Sequence, residues 1–335
     1  MKTFVLTGPK SIDLIEAERP RIEDDEILCR TMYTAISPGT YLLRYLGTQP
    51  GMADYPYIPG YLNVGRVVEV GGSVRDRGFA EGDIVHVRCQ NRPTTAYRHC
   101  NGSDVEFTVI PEAHIHHLTH ASQHPRHLAF AIFGHLGFAA MMEGKCGPGS
   151  TALVVGQGIL GLGCTRALAL AGARQIVAVD MIERRREIAA RLGATHTEAG
   201  GREMVDELGR KYPAGFDIVI EATGNPNVPE RLFELSAGGD VLLVSLYSEP
   251  APIFFGNFKR RRIIGLPQEQ WWLKLMHRMM DTGVFMVDEI ISDVIPASVE
   301  DMRWAYEAML NEPEEHLGIL VDWTGETRER QRIWQ

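Results

Sequence analysis

The 335-residue sequence predicts an α/β fold in two domains, one β-rich and one a doubly wound parallel sheet. Three observations predict it. Helix and strand patterns alternate from about Phe133 to Gly265, as βαβ units and a parallel sheet require. From Met1 to about Leu118 the signals are short strands punctuated by glycine and proline, the grammar of a compact β barrel. Within the alternating region, TALVVGQGILGLGCTRALALAGARQIVAVD (Thr151 to Asp180) holds a strand, a glycine loop, a helix and a second strand in succession.

Ala152 to Val155 is an apolar, β-branched run suited to a buried parallel strand. It leads into Gly156, Gly158 and Gly161, spaced G-x-G-x-x-G. In that spacing the first glycine allows a tight turn, the second lets backbone approach a pyrophosphate, and the third lets the helix pack on the strand. The helix Ile159 to Ala171 is rich in alanine and leucine and stops at Gly172. The strand Gln175 to Val179 then delivers Asp180, about 20 residues beyond the third glycine, where a carboxylate accepts bonds from an adenosine ribose. Gly156, Gly158, Ile159, Leu160, Gly161 and Asp180 are therefore assigned to a nicotinamide dinucleotide. A carboxylate here bonds the ribose diol and repels a 2′-phosphate, so NAD is expected and NADP disfavoured. The run Glu183-Arg184-Arg185-Arg186 complicates that choice, since an arginine beside the diol can hold the phosphate. Arg185 is assigned to the cofactor, and the run otherwise reads as the exposed face of the helix opening at Ile182.

A net charge of −9 argues against a general nucleic-acid or anionic-membrane binder, and no apolar run approaches membrane-spanning length. The basic run Lys259-Arg260-Arg261-Arg262 is short and reads as a solvated strand edge. The opening MKTFVLTGPKSIDLIE alternates like a strand and lacks the apolar core of a signal peptide. Five scattered cysteines (Cys29, Cys89, Cys100, Cys146, Cys164) suit a reducing cytoplasm and argue against a disulfide framework or a four-cysteine zinc site.

The elements follow in order. IPGYLNVGRVVEVG (Ile58 to Gly71), GFAEGDIVHVRC (Gly78 to Cys89) and VEFTVIP (Val105 to Pro111) supply the β-rich strands. The tract from His114 to His135 is rich in histidine, but its spacing is irregular and no acid or thiol accompanies it, so it is not read as a metal site. Beyond Asp180 the pattern predicts a helix over Arg184 to Leu192, a strand near Thr195 and a helix over Arg202 to Arg210. A strand over Phe216 to Gly224, a helix over Pro229 to Leu235 and a strand over Asp240 to Ser245 come next. With a strand near Ile263-Ile264, six parallel strands make the sheet. Gln268 to Asp281 is a helix whose Trp271 and Trp272 read as core or interface. Val299 to Leu310 is the last helix and Leu317 to Trp323 the last strand, while the charged tail Thr324 to Gln335 is expected to be partly disordered.

The order β-rich, nucleotide-binding, returning segment joins a set of markers: PGYLNVGRVVEVG, EGDIV, GQGILG, IVAVD followed by RLGA, and EATG at Glu221 to Gly224. Together they resemble the medium-chain dehydrogenase/reductase superfamily over nearly the whole chain. The resemblance implies a GroES-like catalytic domain (residues 1–132 and 266–335) and a Rossmann NAD-binding domain (133–265), with the active site in the cleft against the cofactor domain. It places Ala222, Thr223 and Gly224 beside the cofactor. It also implies a homodimer paired through an edge strand, here the segment around Leu246 to Arg262 that contains APIFF (Ala251 to Phe255). Zinc alcohol dehydrogenases of this superfamily carry a cysteine where TAISPGT places Ser37, a His-Glu pair where this chain has Tyr61-Leu62, and a third ligand near Ile132. The lobe of four close cysteines that holds a structural zinc is missing too. The chain therefore looks like a zinc-independent branch, with no metal expected. ISPGT and PGYLNVGRVVEVG look most like bacteriochlorophyllide hydroxyethyl dehydrogenase-type proteins, a match too short to imply a pigment substrate.

Hydride transfer between an alcohol and NAD needs a group that takes the hydroxyl proton and steadies the developing alkoxide, which zinc does as a Lewis acid. Without zinc the protein supplies a base or donors. By the resemblance, the Tyr61 phenol projects towards the reacting carbon and His135 of FGHLG lies against the nicotinamide, where its near-neutral titration suits a proton shuttle. Ser37 and Thr40 are candidates to relay that proton, and Tyr41, Arg44 and Asn63 to shape or polarise the pocket for a small-molecule substrate. Each has a plain alternative. Tyr61 can fill the space of a metal, His135 can be a satisfied helix-terminus histidine, and Ser37-Pro38-Gly39-Thr40 is a good turn whatever the chemistry. Three functions compete: an NAD-dependent dehydrogenase of a secondary alcohol (sugar, cyclitol or natural-product hydroxyl), a reductase of activated C=C bonds, and a non-catalytic dinucleotide-binding protein. Asp180, Tyr61 and His135 favour the first.

Overall fold

The opening segments pair as antiparallel strands, the first with Thr3, Phe4, Val5 and Leu6 buried in succession. The computed structural model describes residues 1–49, 55–88, 98–99, 103–115, 119–120, 124–238, 240–253, 262–266, 271–285 and 287–334. It divides into two units, Met1–Ala131 with Lys274–Gln335, and Ile132–Leu273.

The first unit opens with strands β1 (Lys2–Gly8), β2 (Ser11–Glu16) and β3 (Glu26–Ile36) and helix α1 (Pro38–Leu46). Strands β4 (Tyr57–Ile58), β5 (Leu62–Val70), β6 (Ile84–Arg88), β7 (Arg98–His99) and β8 (Phe107–Pro111) follow. Short helices α2 (Glu112–Ile115) and α3 (Pro125–Leu128) flank β9 (Thr119–His120). The start of α1 is dictated locally: extended Ser37 precedes Pro38, whose fixed φ and missing N–H suit the first turn, and left-handed Gly47 closes the helix.

The second unit begins with α4 (Ala131–Glu143) and then alternates β10 (Thr151–Val155), α5 (Ile159–Leu170), β11 (Gln175–Asp180), α6 (Glu183–Arg191), β12 (His196–Ala199) and α7 (Met204–Lys211). It continues through β13 (Ile218–Glu221), α8 (Pro229–Leu232), β14 (Asp240–Leu243) and β15 (Arg262–Gly265). All six strands are parallel, in the order β12-β11-β10-β13-β14-β15. The order reverses between β10 and β13, and ligands bind outside the carboxyl ends of strands at such a switch point. Leu153, Val155, Val177, Val179, Val219 and Val241 bury one face of this sheet, and Ala152, Val154, Ile176 and Ala178 are buried on the other. Two expected elements are shorter than their apolar runs. The strand at Phe216 to Gly224 is confined to β13, and the helix at Pro229 tightens into a 3₁₀ turn over Phe233–Leu235.

The chain returns through α9 (Trp271–Asp281), β16 (Ile291–Pro296), α10 (Val299–Asn311), β17 (Gly318–Asp322) and β18 (Gln331–Arg332). Ser298 caps α10 by accepting the Asp301 N–H at 3.0 Å. The returning strands complete an eight-stranded sheet, β18-β16-β17-β3-β5-β6-β9 with β8 also paired to β3, while β2-β1-β4-β7 form a four-stranded one. A core of Phe4, Leu6, Tyr41, Met302, Tyr306 and Ile319 ties both sheets to α1 and α10. The expected disorder of the tail is overturned. β18 pairs with β16, Arg330 Nε donates to Asp301 Oδ1 at 2.6 Å, and the buried Trp334 donates its indole N–H to Glu289 O at 3.0 Å. The apolar body of Trp334 and the neutralised arginines outweigh the charge that suggested a loose end.

Among the described residues no helix is long and apolar enough to cross a membrane. Cys89, Cys100, His116, His117, Phe254, Phe255 and the run Lys259-Arg260-Arg261 lie outside the described residues, as do the side chains of His120, Trp271 and Trp272.

Candidate active site

At the end of β10 the backbone turns at Gly156, where φ is 92° and a Cβ would stand 2.7 Å from the Ala222 carbonyl. Ala222 N–H donates to Val155 O at 2.7 Å, so the EATG segment is fastened beside the glycine loop. A side chain at Gly161 would collide with Gly156 O, which holds α5 against the turn. A Cβ on Gly158 would meet nothing within 4 Å, and Gly158 caps α5 without a side chain. The first N–H groups of α5, including those of Ile159 and Leu160, are thus left for an anion at the helix N-terminus. Asp180 ends β11; its Oδ2 accepts Gln157 N–H at 2.7 Å and its Oδ1 accepts Ile182 N–H at 2.8 Å. A carboxylate has about four acceptor positions, so two remain for a ribose diol. These residues fit a dinucleotide.

The arginine run departs from the expected exposed face. Arg184, Arg185 and Arg186 are half-buried, and Arg186 Nη1 donates to Asp180 O at 2.8 Å and Met181 O at 3.0 Å. Backbone carbonyls at the strand end draw the guanidinium inward, although Asp180 O also accepts the Gly200 N–H at 3.0 Å.

Glu221 was not legible as a functional residue. It is fully buried at the carboxyl end of β13, in register with Val155 across the switch point. Its Oε1 accepts the Thr223 N–H at 2.6 Å and the Thr223 hydroxyl, and Oε2 accepts the Tyr247 hydroxyl. Burial raises its pKa against the pull of those donors. The pair locks the loops after β13 and β14 together beside the glycine turn.

His135 is fully buried in α4, inside the helix and not at its terminus as the plain alternative supposed. Backbone contact between α4 and α5 sets its place: a Cβ on Gly163 would lie 2.5 Å from Phe133 O, and one on Gly137 would collide with Gly163 O. The extra glycines of GILGLG and FGHLG serve this helix crossing.

In the β-rich unit Ser37 is nearly buried and makes no side-chain cap bond, while Thr40 is half-buried on α1. Tyr61 is half-buried and its ring lies 5.7 Å from that of buried Tyr41. Arg44 is 5% exposed, and its Nε donates to Gln49 Oε1 at 2.8 Å. Asn63 is fully buried, its amide donating to Thr31 Oγ1 at 2.8 Å and Ser103 O at 3.2 Å, so it braces the sheet. Tyr41 and Arg44 converge on Asp104, a residue the sequence did not single out. Tyr41 OH donates to Asp104 Oδ1 at 3.3 Å, and burial pushes the Asp104 pKa up to about 7 despite the Thr34 and Tyr41 hydroxyls and Arg44.

The positions compared with zinc ligands carry a hydroxyl (Ser37), a phenol (Tyr61) and an alkyl chain (Ile132). Among the described residues no three or more His, Cys, Asp or Glu side chains are grouped to hold a metal. In the histidine tract His124 and His127 stack at 5.2 Å, and His127 Nε2 contacts Asp288 Oδ1 at 2.7 Å. Burial lowers the His127 pKa, with Asp288 opposing.

Residues 23–120 match the alcohol dehydrogenase GroES-like domain, and residues 160–272 match the zinc-binding dehydrogenase family. The chain is 28% identical over 333 residues to 2-desacetyl-2-hydroxyethyl bacteriochlorophyllide A dehydrogenase of Cereibacter sphaeroides, covering 95% of this chain and 97% of that one. It is 24% identical over 328 residues to L-threonine 3-dehydrogenase of Protochlamydia amoebophila, covering 90% and 93%. The crystal structure of 2R,3R-butanediol dehydrogenase from Bacillus subtilis superposes with a TM-score of 0.80 at 22% identity, over 96% of this chain and 99% of that one. Domain order, glycine loop and both family matches agree in supporting the medium-chain dehydrogenase/reductase superfamily, and with it an oxidoreductase with a GroES-like and a Rossmann domain.

Proposed function

We propose that this protein is a zinc-independent, NAD(H)-dependent dehydrogenase that moves a hydride between the cofactor and a secondary alcohol or its ketone, the hydroxyl of a sugar, cyclitol or natural product. One observation supports the reading: Gly156, Gly161 and Asp180 form a seat that fits a dinucleotide, while by the resemblance Ser37, Tyr61 and Ile132 occupy the catalytic zinc-ligand positions. Those three side chains do not fit zinc, so no step passes through a metal. A nicotinamide held in the dinucleotide seat would supply the hydride chemistry. Asp180 holds the adenosine diol and disfavours a 2′-phosphate, and the α5 N-terminus takes the pyrophosphate. Ala222, Thr223 and Gly224 frame the cofactor, with Arg185 alongside the ribose. Tyr61 or His135 takes the hydroxyl proton, with Ser37 and Thr40 as relay.

Relatives named as dehydrogenases of a hydroxyethyl group and of threonine support an alcohol over an activated C=C bond. We further propose a homodimer paired at β15, the sheet edge, where Ile263 is 38% exposed. A cytoplasmic location suits Cys29, Cys146 and Cys164, none of which is in a disulfide.

The test is a parallel screen of polyols, their ketones and enones with NAD(H) and NADP(H), before and after chelation, with elemental analysis of the purified protein. Turnover of an alcohol–ketone pair with NAD(H), unaffected by chelation, is expected. About one tightly held zinc per chain, or enone reduction alone, would overturn the proposal.

A further inference from the structure

Asp104 is an acid buried in the β-rich unit that none of the roles above uses. Separate segments face it: Thr34 on β3, Tyr41 and Arg44 on α1, Gly60 ahead of β5, and Tyr306 on α10. Tyr41 OH donates to Oδ1 at 3.3 Å, while Oδ2, the neighbouring Ser103 hydroxyl and the Tyr306 hydroxyl have no hydrogen-bond partner among the described residues. The backbone before Tyr61 is bolted to this acid. Asp104 N–H donates to Pro59 O at 3.1 Å, and Ser103 N–H donates to Gly60 O at 3.3 Å. Gly60 has φ 97°, and a Cβ there would lie 2.8 Å from Asp104 Cγ. Only glycine lets the chain pass the carboxyl at that distance and deliver Tyr61 beside Tyr41.

The charges around Asp104 divide simply. Arg44 is the cation of the group. Burial holds Tyr41 and Tyr306 well above the ordinary phenol range, so both are neutral donors. Among these groups Asp104 is the one that changes charge near neutrality.

We propose that Asp104 is the proton-storing, positioning residue behind Tyr61, acting through the Tyr41 phenol. The proposal rests on the reading that Tyr61 touches the reacting hydroxyl. In the oxidising direction the substrate O–H proton goes to the Tyr61 oxygen, the Tyr61 proton to Tyr41, and the Tyr41 proton to the Asp104 carboxylate. The carbon-bound hydride leaves with its electron pair for the nicotinamide, and a carbonyl remains. The stored proton returns to water by way of half-buried Tyr61 after the product departs. Oxidation thus requires charged Asp104 and rises with pH, whereas reduction requires the acid and falls.

The experiment compares wild type, Asp104→Asn, Tyr41→Phe and Tyr61→Phe as full-length protein. Its readouts are pH–rate profiles on the alcohol–ketone pair that the screen identifies and pH-difference infrared spectra of the carboxylic-acid C=O band. In wild type, that band and an inflection in oxidation rate are expected near neutrality. Asp104→Asn should lose both and turn over about tenfold or more slowly at alkaline pH, with NADH affinity unchanged. Tyr41→Phe removes one hydroxyl from a packed ring, and it should flatten the rate inflection while keeping the fold. A folded Tyr41→Phe protein with the wild-type inflection overturns the proposal, even if Asp104→Asn fails to fold. A wild-type rate in Tyr61→Phe would instead overturn the reading of Tyr61, leaving the infrared band in place.

Discussion

Within the dinucleotide-binding unit, the contacts that shape the cofactor seat run mostly through backbone and lie close in sequence. Gly156 turns, Gly161 presses on its carbonyl, and Asp180 caps Gln157 and Ile182. In the β-rich unit the polar centre is made by side chains from distant segments: Tyr41, Tyr61, Asp104 and Tyr306 meet only because two sheets and two helices share one core. The difference teaches where each unit is vulnerable. A backbone seat fails when a Cβ is added, and a side-chain cluster fails when one polar atom is removed.

The largest effect should come from the side chains. If Tyr61 carries the proton, Tyr61→Phe should cut turnover by about 10²-fold or more while NADH affinity holds, and His135→Ala should be mild. The opposite ranking would move proton transfer into the dinucleotide-binding unit, and near-full activity in both would remove the site from these residues. Steady-state rates alongside NADH fluorescence titration decide it.

The backbone seat should respond next. Gly161→Val should weaken NADH binding by about 10²-fold, roughly 3 kcal/mol, because its side chain meets Gly156 O and backbone there has no room to yield. Wild-type affinity in that variant would show that the close approach is not what orders the loop. Asp180→Ser is a gentler probe of the same unit. The preference for NAD(H) over NADP(H) should fall about tenfold, about 1.4 kcal/mol, as the repelling charge disappears. An unchanged ratio of the two dissociation constants would reassign cofactor choice to the neighbouring arginines.

The smallest effect is on stability, and its sign follows from Asp104. Its folded pKa of about 7 lies above the ordinary carboxyl range, so the folded state keeps a proton that the unfolded chain releases. The resulting stability is fully present below about pH 4 and is lost as pH rises through about 7. Asp104→Asn should therefore gain on wild type in urea midpoint between about pH 5 and about pH 8. A constant difference between the two proteins across that range would mean that Asp104 is ionised in the folded state throughout.

The doubly wound sheet, the glycine loop and Asp180 could be read from residue order because they rest on interactions a few residues long: a left-handed turn, a helix N-terminus, a strand end. The fourth glycine, Gly163, could be seen but not understood, since its partner is Phe133 across a helix crossing. Glu221 looked like part of a short marker; burial beside β10 and the bond from Tyr247 were invisible until β13 and β14 paired. The tail looked solvated because its charges are plain in sequence, whereas the groove that takes Trp334 is not. Asn63 and Asp104 show the same division. Sequence placed a polar residue in each segment, but only packing determined that the Asn63 amide N–H groups would be taken by Thr31 and Ser103, and that Asn63 Oδ1 and Asp104 Oδ2 would each be buried without a hydrogen-bond partner among the described residues. Local sterics and hydrogen bonds are written along the chain, but the burial that shifts a carboxyl towards neutrality depends on segments far apart in sequence, and the tertiary structure alone decides it.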